Sequence, residues 1–200
     1  MDLPTDLPSH LRGLVEGSGL GDDSAIIDSL TALAVHLRTA VSSYLGLRLT
    51  LVLDGWPVTL TAFGDIDGVR PSASLRVALS SMEPGFDPES RIVLYAGSPG
   101  AFVDLASDLA YLQRLHGAGN AATDVDGNGR QPAVALDADL PPDSTASGLS
   151  GLTEYEVINQ AVGVLIGRGH SSDHARAALR RAAATDGLAL PDYAARLVEG

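Results

Sequence analysis

Residues 157–166 read VINQAVGVLI and open a C-terminal segment patterned as helix. Its apolar residues recur at three- and four-residue steps and so share one helical face: Ile158, Ala161, Val162, Leu165 and Ile166. Gly167 and Gly169 then predict the end of this helix. Gly163 lies inside it, where glycine costs about 1 kcal/mol relative to alanine, so we expect a neighbouring helix to approach closely there.

Two more helices are predicted after this one. Ser171 or Ser172 is a suitable N-cap for the second, and Gly187 is a suitable end. Small residues form its packing face: Ala175, Ala178, Leu179 and Ala182. Pro191 suits the first turn of the third helix. The apolar side of that helix consists of Leu190, Tyr193, Ala194, Leu197 and Val198. Residues 152–200 are therefore predicted to form a three-helix bundle.

This spacing resembles the ANTAR module, the RNA-binding three-helix domain of bacterial transcription antitermination regulators. The residues that carry the resemblance are Ile158, Ala161, Gly163, Leu165, Ala175, Leu179, Arg180, Leu190 and Ala194. The chain departs from the family pattern at Tyr155, Asn159 and Val162, where the family favours a basic residue, Glu and Lys. The resemblance implies a dimeric regulator that binds paired hairpin loops in nascent RNA and so prevents a terminator stem from forming.

Four arginines are the candidate RNA contacts. Arg176, Arg180 and Arg181 lie on the second helix away from its small-residue face, and Arg168 lies near the preceding joint. Guanidinium groups contact phosphates and stack on unpaired bases, which is how RNA loops are commonly recognised. Read from the residues alone, these arginines fit an ordinary solvated helix face better than a binding patch.

The charge balance limits how RNA could be bound. The formal net charge is −12, Lys and Cys are absent, and every basic side chain except histidine is Arg. Residues 151–200 contain five Arg and six acidic residues, a balance of −1, so the other 150 residues hold −11. An acidic surface repels a polyanion, so RNA binding would depend on a local arginine patch.

Residues 24–116 are patterned as helix, strands and helix, which predicts an α+β fold with an antiparallel sheet. The first helix is expected to end at Gly46, with a tight turn at Asp54-Gly55. The predicted strands and second helix are residues 47–54, 56–63, 72–80, 91–96 and 99–115. This element order resembles a GAF-type sensor or dimerisation domain, and a PAS-like domain would have nearly the same order.

The second of these helices carries an apolar stripe, made of Phe102, Leu105, Leu109 and Leu112. The stripe approximates a coiled-coil seam, which would make it a dimer contact. A helix that packs on its own sheet would have the same pattern. The resemblance to ANTAR regulators favours a homodimer.

The remaining segments are polar. Residues 1–23 are expected to be a leader without a secretory signal, and residues 117–151, rich in Gly, Pro, Asp, Ala and Ser, a flexible linker. Residues 124–129 resemble the start of a calcium-binding loop, but Ala135 stands where that loop needs Glu, so a linker turn is preferred. His170 and His174 lack a third predicted metal ligand.

Two functions are consistent with these patterns. The first is a cytoplasmic RNA-binding antitermination regulator controlled by a sensor domain, with no enzymatic activity, no cofactor, no membrane association and an unidentified small-molecule signal. The second is a degenerate GAF–ANTAR protein that senses a ligand or binds a protein without binding RNA. The acidic balance, Tyr155 and Val162 favour the second.

Overall fold

The computed structural model describes residues 23–64, 69–82, 85–115, 133–140 and 146–200. The chain divides into two compact units, Met1–Gly148 and Leu149–Gly200. Within the described ranges, no helix is long and apolar enough to span a bilayer. The predicted leader, apart from its last residue, and the calcium-loop-like residues 124–129 lie outside the described residues.

The first unit is built on an antiparallel sheet. Its elements are α1 (Asp23–Ala40), β1 (Tyr44–Leu53), β2 (Trp56–Phe63), β3 (Ala73–Ala78), a 3₁₀ turn (Leu79–Ser81), β4 (Arg91–Ala96), α2 (Val103–Leu115) and β5 (Val134–Leu136). A sixth strand, β6 (Gly148–Ser150), lies at the boundary between the units. The strand order is β5-β3-β4-β1-β2-β6, which confirms the predicted α+β class with an antiparallel sheet.

The hairpin between β1 and β2 confirms the turn predicted at Asp54-Gly55. Both residues have positive φ, 53° and 80°, which is the geometry of a two-residue hairpin turn. The turn pairs Leu53 with Trp56, and the register continues to Gly46 opposite Phe63.

One face of the sheet is a continuous apolar surface. Alternate residues of the three central strands share it and are buried: Leu47, Leu49, Leu51, Leu75, Val77, Ile92 and Leu94. Apolar residues of α1 and of the α2 segment are buried as well: Leu33, Leu37, Phe102, Leu105 and Leu109. The stripe beginning at Phe102 is therefore used in the core of its own unit, at least as far as Leu109, rather than left as a dimer seam.

Two short strands lie in the range predicted to be a flexible linker. In β5, Val134 pairs with Val77 and Leu136 with Leu75, while β6 adjoins β2. Immediately after β5, the Asp137 carboxylate accepts a 2.8 Å hydrogen bond from the backbone N–H of Ser74. Strands of three residues are too short to show a period of two, so the linker composition of residues 117–151 concealed them.

The end of α1 differs from the prediction. The helix ends at Ala40, and Gly46, expected as its end, lies inside β1. A Cβ at Gly46 would lie 2.7 Å from both Cα and Cδ1 of Phe63, and closer still to the carbonyl oxygen of Ala62. Glycine is required here because the neighbouring strand and the Phe63 ring occupy the space of a side chain.

We expect Gly46→Ala to lower the free energy of unfolding by roughly 3 kcal/mol, since backbone atoms on β2 would have to move. Gly148→Ala is the matched control, because a Cβ there meets nothing within 4 Å. Urea denaturation followed by circular dichroism measures both. Equal stability of the two variants would contradict the close approach at Gly46.

Tyr44 begins β1, and its hydroxyl is buried without a hydrogen-bond partner in the part of the chain that the structure describes. Burial raises the pKa of Tyr44 to about 12, and the nearby Arg38 lowers it by less. The folded state thus favours the protonated phenol. Ionisation of Tyr44 therefore costs no stability below pH 10. The free energy of unfolding falls as the pH rises from 10 toward 12, because the unfolded chain loses this proton before the folded chain does.

We expect Tyr44→Phe to remove roughly 2 kcal/mol of the alkaline loss of stability, because a shift of one pKa unit corresponds to about 1.4 kcal/mol. At pH 7 the variant should be as stable as the original chain or more so, since it loses an unsatisfied buried hydroxyl. Urea titrations between pH 8 and 12 test this, with the exposed Tyr111→Phe as control. Superimposable pH profiles of Tyr44→Phe and the original chain would refute it.

The second unit consists of three helices that contact one another: α3 (Leu152–Gly167), α4 (Ser172–Asp186) and α5 (Leu190–Glu199). Its buried core is made mostly of small residues: Ile158, Ala161, Val162, Ala175, Leu179, Ala183 and Ala194. Ser171 is the N-cap of α4, and Gly187 ends that helix with φ 66°. These ends confirm the local signals in the sequence, and the alanine-rich core allows the helix axes to approach closely.

The expectation for Gly163 is wrong. A Cβ at this position would meet nothing within 4 Å, so no helix of the unit approaches it, and the residue is exposed. Its backbone is ordinary helix with negative φ, so neither packing nor geometry requires glycine.

Gly163→Ala should therefore raise the free energy of unfolding by roughly 0.5–1 kcal/mol, the difference in helix propensity between the two residues. Gly187→Ala should have the opposite effect and cost about 1 kcal/mol, because its positive φ strains any residue with a Cβ. Thermal unfolding followed at 222 nm compares the two. A loss of stability in Gly163→Ala would show that the glycine meets a partner in solution.

Candidate nucleic-acid interface

The geometry of α4 orients three of the four candidate arginines. Ala175, Leu179 and Ala183 form its buried line. Arg176 and Arg180 each follow a residue of this line by one position, so they lie one turn apart on a flank of the helix, about 100° from the core. Arg181 lies about 200° from Leu179, on the side of the helix away from the core.

The environments of these side chains differ. Arg176 is half-buried, and its guanidinium donates a hydrogen bond to the Ser172 hydroxyl one turn earlier. Arg180 and Arg181 are exposed. Arg176 is thus held against its own helix.

Arg168 lies in the joint between α3 and α4. It is the C-cap of α3, and its backbone N–H donates to the carbonyl oxygens of Val164 and Leu165, at 3.2 and 3.1 Å. Its side chain is exposed. A cation at this position also interacts favourably with the negative end of the helix dipole, so Arg168 has a structural role in addition to any contact with a ligand.

The histidines beside this joint take part in helix capping. The Ser171 hydroxyl accepts a 3.4 Å hydrogen bond from the backbone N–H of His174 and lies 2.8 Å from Nδ1 of its ring. The backbone N–H of His170 donates to Leu165. Among the residues with described positions, no group of three or more His, Cys, Asp or Glu could hold a metal ion.

The three departures from the ANTAR pattern have unequal consequences. Val162, where the family favours Lys, is only 4 % exposed and packs inside the bundle. Tyr155 and Asn159 are half-buried on the same helix. A valine directed inward cannot contact a ligand outside the bundle, so this position offers no contact to RNA.

No protein-family model matches the chain, and comparisons with curated proteins and with solved structures found no match either.

Proposed function

We propose that the chain is an RNA-binding regulator that acts in transcription antitermination, with the helical second unit as its RNA-binding part. One observation carries the proposal: Arg168, Arg180 and Arg181 are exposed on a small alanine-cored bundle. The resemblance to the ANTAR module supplies the ligand class, the loops of paired RNA hairpins. Arg176, which donates a hydrogen bond to Ser172, lies one turn before Arg180 on the same flank.

Guanidinium groups suit this ligand. They pair with phosphate oxygens in a two-pronged geometry and stack on unpaired bases, and hairpin loops present both features. The net charge of −12 opposes nonspecific attraction to RNA. Binding by this chain would therefore depend on matching local geometry, and its affinity would fall as salt rises.

The first unit would regulate this binding as a GAF-like sensor or dimerisation domain. A six-stranded antiparallel sheet in an α+β unit is compatible with that fold. A PAS-like fold is the alternative. A homodimer would present two bundles to two hairpins, which raises the effective concentration of the second site once the first is bound.

A second candidate function is a ligand-sensing or protein-interaction module that has lost RNA binding. The burial of Val162 in place of a family lysine favours it. Exposed apolar residues on the bundle, Ile166 at 44 % and Val198 at 39 %, would suit a protein partner.

The test is binding of a two-hairpin RNA by the full chain, measured by electrophoretic shift and fluorescence anisotropy at several salt concentrations. Arg180→Ala/Arg181→Ala should weaken binding at least tenfold. It should also reduce the slope of log K against log salt by about 1.5, because two phosphate contacts are lost. Two single variants give the matched control. Arg181→Ala removes one exposed arginine of α4, and Arg196→Ala removes one exposed arginine of α5.

Undiminished affinity of the double variant would reject the arginine patch. A folded chain that fails to shift any two-hairpin RNA would reject RNA binding in favour of the second function.

A further inference from the structure

Three arginines of the first unit share one face of the sheet. In the register, Arg48 of β1 and Arg76 of β3 both lie opposite Val93 of β4, and Arg91 of β4 lies opposite Thr50. Paired residues direct their side chains to the same side of a sheet, and so do residues two apart on one strand. These three arginines, with Val93 and Thr50, form what we call the arginine face, opposite the leucine-rich core face.

The spacing of the strands brings these cations together. Neighbouring strands are about 4.8 Å apart, so Arg48 and Arg76 are separated by about 10 Å across β4. Arg91 is a diagonal neighbour of Arg48, at about 7–8 Å between backbones. Val93 lies between Arg48 and Arg76 and is only 2 % exposed. Arg48 and Arg91 are partly exposed.

Tyr95 also lies on this face. Its ring stacks on Phe63 with a centroid distance of 5.3 Å, across the gap left by Gly46. Burial raises the pKa of Tyr95, Arg48 lowers it, Asp139 raises it and Arg91 lowers it. The hydroxyl therefore lies within electrostatic range of both Arg48 and Arg91, and it is a protonated hydrogen-bond donor at neutral pH.

The positive charge of this face is only partly balanced. Arg76 pairs with Asp139 at 3.2 Å, and Arg91 donates to the backbone carbonyl of Glu89 at 3.1 Å, not to its carboxylate. Within the described ranges, no ion pair joins a carboxylate to Arg48 or Arg91. The Nε of Arg76, a residue only 9 % exposed, is buried and lacks a hydrogen-bond partner there.

These features are those of an anion site. Two cations without carboxylates repel each other, and a buried N–H without an acceptor costs free energy. An anion between Arg48 and Arg91 would reduce the repulsion between these two cations. This local excess of positive charge contrasts with the chain as a whole, which carries 25 acidic residues against 13 arginines.

We propose that the arginine face of the first unit binds a small phosphorylated molecule, whose phosphate group lies between Arg48 and Arg91. These two arginines come from the neighbouring strands β1 and β4, and each supplies one guanidinium fork. That arrangement suits the tetrahedral oxygens of a phosphate, whereas one carboxylate is satisfied by a single guanidinium fork. The site does not depend on RNA binding by the second unit.

Isothermal titration calorimetry of the full chain tests the site, with inorganic phosphate and pyrophosphate as probes and sodium chloride at equal ionic strength as reference. We expect saturable binding of at least one probe and a loss of tenfold or more in Arg48→Gln/Arg91→Gln. The matched control is Arg38→Gln/Arg70→Gln, which removes two exposed arginines of the same unit outside this face and should bind as the original chain does.

Further measurements guard against a misfolded variant. Circular dichroism checks each protein, and Arg48→Lys and Arg91→Gln are tested singly, since each makes a smaller change. Arg48→Lys keeps the charge but loses the planar fork, and it should weaken phosphate binding several-fold. Hairpin RNA binding by Arg48→Gln/Arg91→Gln should be unchanged, which separates this site from the RNA patch.

Three results would overturn the proposal. The first is the absence of saturable binding of phosphate and pyrophosphate to the original chain. The second is equal weakening in the control double variant, which would indicate nonspecific counterion binding. The third is binding of acetate as tight as that of phosphate, which would contradict the assigned ligand class.

Discussion

The register of β1 against its two neighbours is the constraint on which the first unit depends. β1 is the strand in which leucines alternate with Arg48, Thr50 and Val52, and it pairs with β2 on one side and β4 on the other. A slip of one residue would move the leucines to the opposite face and place Arg48 in the apolar core. The positive-φ turn at Asp54-Gly55 and the close contact of Gly46 with Phe63 each oppose such a slip, one at each end of the hairpin.

The same register separates stability from recognition. Leucines directed toward one face supply the burial that holds the unit together, at about 25 cal/mol for each Å² of apolar surface removed from water. The opposite face then need not be apolar, and it carries Arg48, Arg76 and Arg91 beside the Phe63–Tyr95 stack. Because β1 and β4 contribute to both faces, the register that forms the core also fixes the backbone positions of Arg48 and Arg91.

How well the sequence predicts each part depends on the range of the interactions that determine it. The second unit was predictable because its signals are local. Ser171 caps α4 by accepting from the backbone N–H three residues ahead, and Gly187 ends the same helix through its own φ. The β1–β2 hairpin was predictable for the same reason.

The strand β5 was not predictable from the sequence, since only its pairing with β3, across more than fifty residues, makes Val134–Leu136 a strand. The arginine face was also missed, because its members come from three strands and only the register brings them together. Gly163 shows the reverse case, in which a local cost suggested a tertiary contact that the bundle does not make.

The use of arginine as the only strongly basic residue connects the two candidate sites. A chain with net charge −12 has no general attraction for anions, so each site must gain its affinity from the arrangement of a few groups. Arginine suits this role better than lysine, because its planar fork fixes the direction of two hydrogen bonds and less conformational freedom is lost for each bond formed.

On α4, helical geometry spaces Arg180 and Arg181 about 100° apart, which suits an extended ligand that follows the surface of the bundle. On the sheet, strands about 4.8 Å apart place Arg48 and Arg91 as diagonal neighbours on one face, which suits a compact ligand. In the two proposed sites the same side chain would serve two classes of anion, and the backbone that carries it would determine which class each site can hold.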